Sequence, residues 1–328
     1  MVLILILCIG LFSYFYVTKT YSGNEAVRIY IPRSATKEQI NDTLSLRLGD
    51  YGQIVFGLWE ILDGNTEVAH GSYVILPGEK AFKVANRIAK GRQTPVKVTV
   101  NVARTLNDLD NIIASNLELT SDDIAYSMDS VLRHNNEFKG KATYIASVVP
   151  DTYEMYWTES PSKAIEKLLY WRDKFWTDER ISKARALGLS PIEVTTLASI
   201  VEEESNKVDE QPLIARLYLN RLEKGMKLQA DPTVKYAIGD FSLKRLYARH
   251  LEVNSPYNTY KISGLPPGPI RLPQKNTIDA VLNAPKHNYI YMCAKEDFSG
   301  YHNFATDYNT HLQNAKRYIN ELNKRKIQ

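Results

Sequence analysis

Residues 190–205 read SPIEVTTLASIVEEES, and their interpretation fixes the largest element of the chain. Ser190 before Pro191, with Glu193 three residues on, is a helix start: a hydroxyl cap, a proline in the first turn and a capping-box glutamate. A helix begun there carries its faces forward at 100° per residue. With Leu197 set at zero, Ile200, Val201 and Glu204 fall at about 300°, 40° and 340°, and Glu202 and Glu203 at about 140° and 240°. Glu204 therefore stands in the apolar stripe, whereas Glu202 and Glu203 point away and read as solvated neighbours. A carboxyl at the end of an apolar stripe, with like charges beside it, should hold its proton unusually tightly. Fraying at the helix end would instead solvate all three, and periodicity alone leaves both readings open.

On the C-terminal side, a helix from about Glu210, with Pro212 in its first turn, runs to Lys224 and stops at Gly225. Residues 254–275 (NSPYNTYKISGLPPGPIRLPQK) are too rich in Pro and Gly for regular structure. A strand-like run at 289–294 precedes a last helix with Tyr308, Leu312, Ala315, Ile319 and Leu322 at helical spacing. On the N-terminal side, helices are expected over 106–117, 121–132, 161–176 and 178–187. Upstream, AVRIYIP (26–32), GSYVILP (71–77) and PVKVTVNV (95–102) read as strands. Helices opening at the Thr36 capping box, near QIVFGLWEIL and over KAFKVANRIAK lie between them. The pattern predicts an α+β protein: a small α+β subdomain over 26–102 and a larger, mainly helical domain over 103–328.

The composition fits an ordinary globular chain, with 328 residues, 44% hydrophobic and 24% charged. A net charge of +4, scattered apart from the terminal Asn323-Lys-Arg-Lys326 run, gives no reason to expect nucleic acid. The six histidines form no short-spaced pair and no Cys-x-x-Cys is present, so no metal or other cofactor is expected. Twenty-one tyrosines offer ring faces and hydroxyls of the kind carbohydrate sites use, although aromatics serve equally as core. Met1 to Thr18 is uncharged and apolar up to Lys19. That length meets the short end of a membrane span, about 17 residues. Without a basic n-region or a small-x-small cleavage site, an uncleaved anchor over 1–19 is preferred to a signal peptide. Cys8 lies within that apolar run, so a structural disulfide with Cys293 is not expected.

Several segments carry a more specific signal: TLASIVEEES (196–205), ARLYLNRLEKGMKLQADPTVKYAIG (215–239), SPYNTYKISGLPPGPI (255–270) and YHNFATDYNTH (301–311), with VVPDTYEMYW (148–157). In this order the chain resembles the MltG-type (YceG-like) endolytic murein transglycosylases, strongly over about 140–320. The segment at 70–91 resembles their LysM-like subdomain. Two departures stand out: Ala103-Arg104 where the family has Glu-Gly, and Leu272-Pro273-Gln274 where it has Asn-Pro-Gly.

The resemblance implies a lyase that cleaves the β-1,4 bond between N-acetylmuramic acid and N-acetylglucosamine, leaving 1,6-anhydro ends. Glu204 would be the single catalytic general acid and base. It implies sugar contacts from Ser205, Gln229, Asp231, Thr233, Tyr257, Asn258 and Tyr260. Positioning roles fall to Asn220, Arg221, Pro266, Gly268, Asp151 and Tyr153. Turn chemistry equally allows Asp231 to be a helix cap; Arg221 has a structural ion pair as its alternative, and His302 is expected to be a packed loop histidine. The expected partners are peptidoglycan strands, the membrane through one N-terminal span, and peptidoglycan synthases. The expected location is the bacterial cytoplasmic membrane with an extracytoplasmic catalytic domain. The alternatives are a non-catalytic glycan-binding scaffold and a lysozyme-type hydrolase with a second carboxylate.

Overall fold

The structure, a computed structural model, describes Tyr14, residues 16–243 and residues 246–325. Most of the expected span over 1–19, residues 1–13 and 15, lies outside the described residues. Among the described residues no helix is long and apolar enough to cross a membrane. The described residues are mixed α+β, mostly helical with three two-stranded sheets. It divides into two compact units, and neither is continuous in sequence. Of the described residues, the first takes those up to 98 with 111–124 and 152–164, and the second takes 99–110, 125–151 and those from 165 on.

In the first unit Val27–Ile31 pairs antiparallel with Gly71–Ile75, Val27 facing Ile75 and Ile31 facing Gly71. Alternation puts Ile29 and Ile31 on the buried face with Tyr73 and Ile75. Helices Lys37–Leu48, Asp50–Leu62 and Ala81–Ala89 close over that face through Ile40, Leu44, Val55, Trp59, Val84 and Ile88. Each such side chain contributes roughly 1.5–3 kcal/mol on burial. The Thr36 capping box expected from sequence is formed, with Thr36 and Gln39 bonding each other's backbone N–H.

The second unit is organised around the helix Pro191–Glu204. Its capping box is present: the Ser190 hydroxyl accepts from the Glu193 N–H at 3.3 Å, and Glu193 accepts from the Ser190 N–H at 2.7 Å. Val194, Leu197, Ala198, Ile200 and Val201 are all buried against the helices Gln211–Glu223 and Lys275–Leu282. The antiparallel hairpin Tyr291–Ala294 and His302–Ala305 completes this unit, with Ala294 opposite His302. The strand is shorter than the run 289–294. The last helix, Tyr308–Lys324, leaves Tyr308, Leu312 and Ile319 exposed, so its apolar spacing does not mark a core face.

Candidate active site

Glu204 is the last residue of its helix, and the segments after it decide its surroundings. It is half-buried and lines a cavity of about 230 Å³ with Tyr218, Arg221, Gln229, Asp231, Tyr260 and His302. Met292, Cys293 and Ala294 supply the hairpin wall. Burial pushes the Glu204 carboxyl up to about 7. The nearby Asp231 charge adds to this, and a hydrogen bond from Tyr218 opposes it. That bond runs from the Tyr218 hydroxyl to Glu204 Oε1 at 2.6 Å. A carboxyl protonated near neutrality and facing a polar cavity can give a proton to a substrate oxygen and take one back.

The other walls are built by short-range backbone chemistry. The helix Asp231–Ile238 opens with Asp231 at its first position; its cap is Ala230, with no side-chain bond. Asp231 is thus free of capping duty, and its Oδ1 accepts the Tyr260 hydroxyl at 2.6 Å. Gln229 sits at φ 51°, a left-handed conformation costly for a residue with a side chain. Bonds from Gln229 N–H to Thr259 O and from Ala230 N–H to the Thr259 hydroxyl hold it there. Arg221 makes no ion pair among the described residues. It donates to the carbonyls of Ile290, Lys227 and Leu228 and to Gln229 Oε1.

The remaining expected residues serve elsewhere. The Ser205 hydroxyl donates to Glu210 at 3.1 Å, and Ser205 does not line the cavity. Thr233 is buried, bonded to Ala230 O and the Thr259 hydroxyl. Asn258 is buried and ties Leu251 O and Val253 O to Tyr260 N–H. Tyr257 packs its ring on Tyr236. Asn220 anchors the segment leading into the hairpin through His287 O and Tyr289 O. Pro266 is buried, and Gly268 passes so close to Ala142 that an added Cβ would lie 1.9 Å from its carbonyl oxygen. Asp151 pairs with Lys275 at 2.5 Å, and Tyr153 is buried in the strand Asp151–Met155. Among the described residues no group of His, Cys, Asp and Glu could hold a metal.

Two expectations are corrected. Glu202 and Glu203 are not solvated, because the Pro-rich loop and the helix after it cover this side of the glutamate helix. Glu202 is 8% exposed, accepts from Gln274 N–H and the Thr277 hydroxyl, and pairs with Arg271 at 3.2 Å. Glu203 pairs with Arg271 at 2.6 Å and Arg104 at 3.1 Å. Their charges are thereby matched, and Asp231, not they, adds to the raised carboxyl. His302, expected as a packed loop histidine, lines the cavity. Tyr218 was overlooked: an apolar-face tyrosine needs a partner for its hydroxyl, and Glu204, fourteen residues away, supplies it.

The profile of the YceG-like family matches residues 29–317. The chain belongs to the YceG-like family. It is 34% identical over 176 residues to a Bacillus subtilis protein named endolytic murein transglycosylase, covering 54% of this chain and 48% of that one. A Streptococcus pneumoniae protein of the same name is 31% identical over 175 residues, covering 52% of this chain and 31% of that one. The chain thus spans about half the length, or less, of the curated relatives it matches. The crystal structure of a yceG-like protein from Listeria monocytogenes superposes with a TM-score of 0.59 at 25% identity, over 89% of this chain and 99% of that one.

Proposed function

We propose that the chain is an endolytic peptidoglycan lytic transglycosylase, cutting the bond between N-acetylmuramic acid and N-acetylglucosamine to leave 1,6-anhydro ends. The observation that carries this is Glu204: a carboxyl pushed up to about 7 at the wall of a cavity rich in hydroxyl, amide and ring groups. Its proton goes to the glycosidic oxygen as the bond to the muramyl C1 breaks. The muramyl C6 hydroxyl then closes on C1, and the Glu204 carboxylate can take its proton, so no water is added. Gln229, Asp231 and Tyr260 supply hydrogen-bonding groups for the sugars around it. The names of the relatives support this reading. The apolar sequence before Lys19 supports a membrane anchor, and the peptidoglycan substrate supports the extracytoplasmic face of the bacterial cytoplasmic membrane, near peptidoglycan synthases.

The test is digestion of uncrosslinked glycan followed by mass spectrometry. Wild type should release anhydro-muramyl ends, and Glu204→Gln, folded, should release none; full activity in that variant refutes the reading. A hydrolase in which Asp231 activates water is the second reading, favoured by Asp231 sharing the cavity with Glu204. Reducing ends in place of anhydro ends would select it.

A further inference from the structure

Glu210, 3% exposed, sits at the start of the helix Gln211–Glu223 yet makes no capping bond with its side chain. The carboxylate turns instead to His302. Oε1 accepts the His302 backbone N–H at 2.7 Å, and Oε2 faces the His302 ring nitrogen Nδ1 at 2.9 Å. Oε2 also accepts the hydroxyl of Ser205, the residue after Glu204. A buried carboxylate on Nδ1 keeps the proton on that nitrogen and leaves Nε2 as the lone-pair nitrogen. Nε2 has no protein partner among the described residues, and His302 lines the cavity that holds Glu204. This is the arrangement of a base with its orienting carboxylate, in which the carboxylate also stabilises the imidazolium that forms.

Resting on the transglycosylase reading, we propose that the two proton transfers are divided: Glu204 protonates the leaving oxygen, and His302 Nε2, oriented by Glu210, receives the proton of the C6 hydroxyl. As the C1–O bond breaks, its electron pair leaves with the oxygen that Glu204 protonates, which becomes the 4-hydroxyl of the departing sugar. The C6 oxygen bonds to C1, and its proton passes to Nε2. The imidazolium then loses that proton to solvent while Glu204 regains one. No water or other reactant is consumed. The cavity, about 230 Å³, suits a single sugar ring, since sites for larger drug-sized molecules run from about 300 Å³ upward. Glu204 and His302 both line that cavity.

The test uses His302→Asn and Glu210→Gln in the full chain. Asparagine keeps a donor where Nδ1 points at Glu210 but has no atom at the Nε2 position, so the fold is retained, as a thermal melt verifies. With wild type giving anhydro ends, His302→Asn should lower kcat by about 10²- to 10⁴-fold at nearly unchanged KM. Water should then compete with the slowed C6 hydroxyl, so reducing ends should appear in the residual product. Glu210→Gln should show the same change of product with a smaller loss of rate. A folded His302→Asn that keeps wild-type kcat, or that yields only anhydro ends, overturns the division of labour and leaves the transglycosylase reading standing. Wild type yielding only reducing ends overturns both.

Discussion

Replacing Tyr218 by Phe removes one hydroxyl from the cavity and should make the site work at higher pH. The Tyr218 hydroxyl donates to Glu204 Oε1 at 2.6 Å, and this bond favours the ionised carboxylate against the burial that raises it. A hydrogen bond to a charged group contributes about 1.5–3 kcal/mol. The protonated carboxyl keeps part of it, so the difference between the two forms is roughly 1.4 kcal/mol, or about one pH unit. The general acid must hold its proton in the free enzyme, so activity falls as pH rises through the carboxyl's midpoint. In wild type the basic limb of kcat/KM should lie near 7; in Tyr218→Phe it should lie about one unit higher. The assay is kcat/KM for release of anhydro ends from uncrosslinked glycan between pH 5 and 9. A basic limb that stays in place, or moves to lower pH, refutes the assignment of this bond to the ionised form.

Glu204 binds its proton more tightly folded, at about 7, than its ordinary value of 4.5. Its contribution to stability is therefore full below 4.5 and lost as pH rises through 7, with a ceiling of about 3 kcal/mol. Glu204→Gln cannot titrate, so its Tm should fall less than wild type's between pH 5 and 8; parallel curves would contradict the buried acid. Glu202→Ala leaves the Thr277 hydroxyl, Gln274 N–H and one side of Arg271 unmatched, and should cost about 2–4 kcal/mol in urea unfolding. Gly268→Ala drives a Cβ into Ala142 O and should destabilise by about 1–3 kcal/mol, read as a lowered Tm.

The sequence exposed what local chemistry controls. Ser190, Pro191 and Glu193 set the start of the glutamate helix, and the 3.6-residue period by itself separates Glu204 from its two neighbours. What lay beyond one helix was harder to read. The same period made Glu202 and Glu203 look solvated, because nothing local announces that Arg104, Arg271 and Gln274 arrive from segments far along the chain. The motif residues divide for a similar reason. Gln229, Asp231 and Tyr260 face the cavity, whereas Thr233 and Asn258 spend their hydrogen bonds on the loop that carries it. A motif records that a position is constrained, not whether sugar or backbone imposes the constraint. His302 and Glu210 stand 92 residues apart, and only the hairpin brings them together.

Two segments far apart in the chain, 103–104 and 272–274, touch each other: Leu272 N–H donates to Ala103 O at 2.7 Å. From the same two places Arg104 reaches Glu203, and Gln274 reaches both Glu202 and Asn101 O. The two segments are therefore coupled in the fold. A chimera that takes one segment from a relative and keeps the other would set a foreign loop against an unmatched strand end and strip partners from the glutamate helix. Changes at residues 103–104 and at 272–274 should therefore be non-additive, because each segment holds the other against the glutamate helix.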